Sequence, residues 1–291
     1  MNGGMNTFHP AVPFFFYAGG AVLIMVARHP VFLATILLVL IGHSVVMDRG
    51  RTLRRWWGAI VLMSGFFLVI TPLVNRRGTH ILFYFNGRPV LEEAVYQGVM
   101  TALSLAALLV LFVNYNQVIT PEKFLFLFGK LPQWALVATL AVRFVPELQR
   151  RLGDIQTVQR ARGLSVTAGS LQARLKNGLA LVQMLLTLSL EEALQTADSM
   201  KARGYGTGKR SQYNPYRFRT ADRLALLFLA AVFGLALFGW RLGDLVLTLR
   251  PVLEPMFLHG REWFYLFVIS IYFVFPLFIE GREAWRWRSW K

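Results

Sequence analysis

Cysteine is absent from this 291-residue chain, which excludes disulfides and thiolate metal sites. Acidic residues are scarce: 15 Asp and Glu stand against 31 Lys and Arg, a net charge of +16. They are scarcer still in the apolar stretches, where ion-coupled transporters place the carboxylates that carry the coupling ion, so secondary transport is disfavoured. Residues 1–27 hold no Lys or Arg, so the positive flank of a secretory signal is missing. Pro10 and Pro13 instead mark the start of a membrane helix, where a missing amide costs little. No ring of charge or filter-like loop suggests a channel.

What is present in abundance is apolar. The chain is 55% hydrophobic, with a mean hydropathy of +0.48. These values indicate an all-α polytopic membrane protein. Measured against the ~20 residues that cross a bilayer, six runs qualify: 11–27, 30–47, 56–74, 92–113, 222–240 and 262–280. About six transmembrane helices are therefore expected. The 24 Phe and 8 Trp fit interfacial belts and lipid-facing surface.

Basic residues flank these runs rather than forming one basic domain, which argues for cytoplasmic loops and against nucleic-acid binding. Arg49, Arg51, Arg54 and Arg55 follow the second run, and Arg282, Arg286, Arg288 and Lys291 outweigh Glu280 and Glu283 in the tail. Segment 147–220 carries 12 Lys/Arg and 5 Asp/Glu. All three belong inside by the charge rule, which puts both termini in the cytoplasm. Parity then requires that 124–146, with Lys130, Pro132, Arg143 and Pro146, not complete a crossing but lie along the interface. Residues 171–190 read as an amphipathic helix against the bundle. The expected organisation is membrane helices in 1–120, a helical cytoplasmic or interfacial region in 121–220, and membrane helices in 221–291.

Two cassettes stand 41 positions apart in the middle region: Arg160-Ala161-Arg162-Gly163-Leu164 and Lys201-Ala202-Arg203-Gly204-Tyr205. Leu148, Leu152, Ile155 and Val158 form a helical stripe leading to the first, over Glu147–Arg162. A proline-free run from Leu188 leads to the second. Gly163 and Gly204 fall where a left-handed residue stops a helix. Arg162 and Arg203 then sit in the last turns, where the helix dipole favours a cation by roughly 0.3–1 kcal/mol. Each preceding Ala keeps the surface low, and a guanidinium offers a planar fork to carboxylates or carbonyls. Headgroup binding explains one such cassette. It requires neither the Ala nor the repeated order, so the pair points to two similar sockets on a partner.

These residues resemble the transmembrane (T) component of energy-coupling factor transporters, a family that includes cobalt-transport permeases. There, two Ala-Arg-Gly motifs end two coupling helices and dock into ATP-binding-cassette ATPases. The resemblance implies that Ala161, Arg162, Gly163, Ala202, Arg203 and Gly204 are the ATPase-coupling residues. Arg143-Phe144-Val145-Pro146-Glu147 is similar to the approach to the first coupling helix, and Glu192–Met200 to that of the second. Thr71-Pro72-Leu73-Val74-Asn75-Arg76-Arg77-Gly78 resembles the family's N-P-L segment, with Thr71 in place of Asn. Phe8-His9-Pro10 and Arg28-His29-Pro30 also look family-like. The implied partners are two ABC-type ATPases, identical or different, a substrate-binding membrane S component, and membrane lipid. The implied location is a bacterial or archaeal cytoplasmic membrane. No catalytic, cofactor-binding or metal residue is expected.

Several other signals lead elsewhere. Gly204, Gly206, Gly208 and Lys209 imitate a phosphate-binding loop, but Arg210 stands where Ser or Thr is required and no strand precedes it. Glu191, Glu192 and Ala193 resemble the E-A-A loop of a binding-protein-dependent ABC importer permease, yet the expected Gly is missing. That permease is the nearest alternative. A membrane enzyme acting on an anionic lipid would need clustered carboxylates, which 147–220 lacks. His9, His29, His43, His80 and His259 are scattered and read as interfacial or lumenal residues. Only His43 lies well inside an apolar run.

Overall fold

A computed structural model describes residues 4–75, 78, 80–85, 88–127, 132–163, 170–208, 216–247 and 258–288. The chain divides into two compact units, residues 1–124 with 216–291 and residues 125–215.

The first unit is a helical bundle. Its helices are α1 (Ala11–Val26), α2 (Pro30–Asp48), α3 (Arg51–Val74), α4 (Glu92–Val118), α8 (Thr220–Leu242) and α9 (Arg261–Arg288). Five of these, all but α1, are long and apolar enough to cross a membrane. The sixth expected span, α1, has 16 residues. At ~1.5 Å per residue it reaches about 24 Å, short of a ~30 Å hydrocarbon core. It is nonetheless the enclosed helix: Val12, Phe16, Leu23 and Ile24 have no exposure.

Local chemistry sets the helix ends. Pro30 opens α2 at a position whose amide would be unpaired anyway, and His29 caps it by accepting the Val31 amide at 3.3 Å. Arg49 and Gly50 both take positive φ and turn the chain within two residues into α3. Asp222 caps α8: its carboxylate accepts the Arg219 amide at 2.7 Å and the His9 amide at 3.0 Å, tying the N-terminal segment to this helix. The sequence reading contained no strand. The structure has an antiparallel hairpin, β1 (Ile81–Phe85) and β2 (Arg88–Leu91), between α3 and α4.

Without a hydrophobic drive between helices in lipid, close packing and polar contacts hold the bundle. Gly19 lets α9 approach so closely that a Cβ there would overlap the Tyr272 hydroxyl. That hydroxyl donates to the Phe16 carbonyl at 3.0 Å, and the Tyr272 ring stacks on Phe16 at 5.3 Å.

The apolar run also conceals a polar cluster. His43 is fully buried, with Nε2 3.2 Å from the Tyr17 hydroxyl. Its Nδ1 lies 3.3 Å from a Glu280 carboxylate oxygen, close enough for charge interaction but off the alignment of a hydrogen bond. Glu280, at the end of the apolar run 262–280, lies inside α9 with its side chain 12% exposed.

Candidate coupling site

The second unit is built on two long helices, α6 (Pro132–Ala161) and α7 (Leu171–Ala202), and α5 (Pro121–Leu127) leads towards it. Both long helices outrun the sequence reading. The helix that carries the first cassette begins at Pro132 rather than Glu147 and passes through Pro146 without ending. The amphipathic stretch 171–190 and the run from Leu188 are one helix, capped at its start by Ser170, whose hydroxyl accepts the Ala173 amide. Among the described residues, neither helix is one of those long and apolar enough to cross a membrane.

The two helices run antiparallel. Arg151 meets Glu192 and, eight residues further along α6, Gln159 meets Met184, eight residues back along α7. Two members of the expected stripe on α6, Ile155 and Val158, line a cavity of about 620 Å³ shared with Met184 and Leu188. Arg151 forms the one ionic tie between the helices among the described residues. Its guanidinium takes both oxygens of Glu192, at 2.7 and 2.8 Å, while Nε contacts Glu147 at 3.2 Å. The sequence reading passed over this pair. The available signal was its spacing, since Arg151 precedes Arg162 by the same 11 residues by which Glu192 precedes Arg203.

Both cassettes terminate as the glycines imply, with one correction. The helices end at Ala161 and Ala202, so Arg162 and Arg203 stand one place beyond, as cap residues rather than in the last turn. Gly163 and Gly204 share the same left-handed φ of +82°. Their amides return to the Arg160 and Lys201 carbonyls at 3.0 and 2.9 Å, and the Tyr205 amide reaches the Met200 carbonyl at 3.0 Å. That pair of bonds at the second cassette is a Schellman closure, which satisfies carbonyls that would otherwise point unpaired from the helix end.

All six cassette residues from Ala161 to Gly163 and from Ala202 to Gly204 are exposed. Antiparallel packing sends the two caps to opposite ends of the pair. Eleven residues of helix separate each Arg from the Arg151–Glu192 tie, about 16 Å on either side. The arrangement presents two like, cationic, low-profile ends rather than one composite pocket. Residues 209–215, which include the end of the phosphate-loop imitation, lie outside the described residues.

Comparison with known proteins identifies relatives of the chain. The family model of CbiQ, cobalt transport protein, matches residues 7–214. Among curated proteins, the chain is similar to the energy-coupling factor transporter transmembrane protein EcfT of Staphylococcus aureus, 23% identical over 186 residues, covering 57% of this chain and 68% of that protein. The EcfT of Macrococcus caseolyticus is 28% identical over 184 residues, covering 57% and 69%. That of Bacillus selenitireducens is 30% identical over 190 residues, covering 60% and 70%. The matched family segment runs through both Ala-Arg-Gly cassettes and the helices that carry them, so this multi-pass membrane protein belongs to the CbiQ cobalt transport family.

Proposed function

We propose that this chain is the transmembrane T component of an ATP-driven uptake transporter of the energy-coupling-factor type, a scaffold without catalysis of its own. One observation carries the coupling role: two helix ends that each turn at a left-handed Gly and bear an exposed Arg, at opposite ends of one antiparallel pair. Two ABC-type ATPases, identical or different, dock on Ala161-Arg162-Gly163 and Ala202-Arg203-Gly204. A separate membrane S component captures the substrate, and motion of the ATPases reaches it through α6 and α7.

The charge distribution supports both termini on the cytoplasmic side of a bacterial or archaeal membrane. On this reading residues 1–120 and 221–291 form the membrane scaffold and 121–220 the coupling region.

The test is capture of the ATPases by tagged, membrane-inserted chain. Breaking one charged contact in a buried interface costs about 2 kcal/mol or more, roughly thirtyfold in affinity. Arg162→Glu and Arg203→Glu each weaken capture by at least that factor, and together abolish it. Undiminished capture by the double variant refutes the proposal.

A further inference from the structure

We infer that the β1–β2 hairpin is a membrane anchor, lying flat in the lipid headgroup layer at the Val74 end of α3 with its outer strand β1 against lipid. It involves neither helix of the coupling pair and goes beyond the scaffold role.

The flanking helices set its depth. From Trp56 to Val74 α3 carries no charge, and at ~1.5 Å per residue that stretch measures about 28 Å, close to a ~30 Å hydrocarbon core. Val74 therefore stands at the hydrocarbon edge, and β1 begins at Ile81 just beyond it. On the return, Glu92 opens α4 and its amide donates to the His80 carbonyl at 2.9 Å, which pins the base of the hairpin to the first turn of that helix. Within the hairpin β2 is the inner strand. It packs against α3 and α4, and its Val90 and Leu91 are buried.

The outer strand has the chemistry of an interface. β1 reads Ile-Leu-Phe-Tyr-Phe without a charge, and Ile81, Leu82 and Tyr84 are 52%, 53% and 67% exposed. Leu82 stands in a register shift between Ile81 and Phe83, with no counterpart on β2. Strand edges that face water are normally guarded by charge, and an apolar one invites association. Hydrocarbon does not suit it either. Among the described residues the sheet has two strands, so the outer amides and carbonyls of β1 would go unpaired there. Only the headgroup layer offers water to that backbone and acyl chains to those side chains. It is also where a tyrosine ring with a polar tip sits best.

Lipid is the occupant because the exposed face continues a surface that lipid already covers. α3 is long and apolar enough to cross the membrane, and its Val69 and Val74 are exposed on the way up to β1. Ile81 and Tyr84 stand three residues apart, about 10 Å along a strand, whereas the layer between hydrocarbon and water is only ~5–8 Å deep. Both residues share that layer when the strand runs along the membrane plane, and not when it stands upright.

The chain has no native cysteine, so Ile81→Cys, Leu82→Cys and Tyr84→Cys can each carry a single environment-sensitive fluorophore in the full chain, reconstituted in phosphatidylcholine vesicles. At all three positions a nitroxide on the lipid headgroup quenches more strongly than one near the acyl-chain end, and more strongly than aqueous iodide. A label at Val69→Cys, quenched from the acyl chains, reports that the helices remain inserted. Leu82→Asp with Tyr84→Asp releases the hairpin: the Ile81→Cys label loses headgroup quenching and gains iodide quenching, while Val69→Cys does not change. Iodide as the main quencher at any of the three hairpin positions overturns the inference, and so does an Ile81→Cys label unmoved by the two aspartates. Labels shielded from lipid nitroxides and iodide alike also overturn it, because a second copy or another protein would then cover β1.

Discussion

The Arg151 guanidinium grips the Glu192 carboxylate through two contacts of 2.7 and 2.8 Å, joining the same position of two repeated helices. The 41-residue repeat that relates the cassettes also relates these two residues. A tie between equivalent positions makes the two arms equal in length, so each Arg cap lies equally far from it. Both side chains are about one-third exposed, at 29% and 35%, so water weakens the tie, and its role is register more than stability.

Register is directly measurable because the chain has no native cysteine. Ile155→Cys with Leu188→Cys, which face one cavity, join efficiently through a short bis-thiol reagent. Ile155→Cys with Leu179→Cys, displaced by nine residues or about 13 Å, does not. Equal yields would show that α6 and α7 slide freely. Arg151→Glu lowers the first yield, and Arg151→Glu with Glu192→Arg restores it.

The helix stops carry a conformational cost. Gly163 has open space around a hypothetical Cβ, so Gly163→Ala isolates the penalty of left-handed backbone, about 1 kcal/mol. Hydrogen exchange of the last turn of α6 accelerates accordingly. Gly163→Asn recovers part of the loss, because Asn tolerates this region. Unchanged exchange in the Ala variant would mean the turn adopts another conformation.

Gly19 and Tyr272 are coupled through one hydroxyl. Gly19→Ala forces that hydroxyl against a new methyl, and the ring cannot retreat because Tyr272 is fully buried. Thermal unfolding in detergent registers a loss of about 1–3 kcal/mol. In a Tyr272→Phe background the same substitution costs less, since the clashing atom is gone. Equal costs in the two backgrounds would place the strain elsewhere.

His9 makes the N-terminal tie pH-sensitive. Burial lowers its pKa below 6.5, with Asp222 acting in the opposite sense. The folded state therefore binds its proton less readily than the unfolded state does. Stability from this site is complete above the unfolded value and declines as pH falls through it. The melting midpoint of wild type drops between pH 7.5 and 5.5, and His9→Asn flattens the drop. A steeper drop in the variant would reverse the sign assigned here.

Much of this molecule is legible without coordinates. Spans declare themselves because a bilayer demands ~20 apolar residues in a row, whatever their neighbours. The helix stops at Gly163 and Gly204 are local, set by the backbone freedom of one residue each. Helix continuity is less legible: Pro146 looked like a boundary, yet α6 passes through it, since a proline removes one backbone donor without forbidding the turns on either side. The β1–β2 hairpin escaped notice because its Ile81–Phe85 strand is too short for any periodic signal.

Composition, charge balance and the repeated Arg cassette by themselves determined a multi-pass helical protein with two like Arg-bearing helix ends. These properties are sums or local patterns along one chain, so they need no knowledge of which residues meet. Tertiary structure alone decided that the ends point oppositely, that Arg151 finds Glu192, and that Glu280 faces His43 inside the bundle. Such pairings join residues tens to hundreds of positions apart. Their partners are chosen by how whole helices pack, which no short stretch of sequence records.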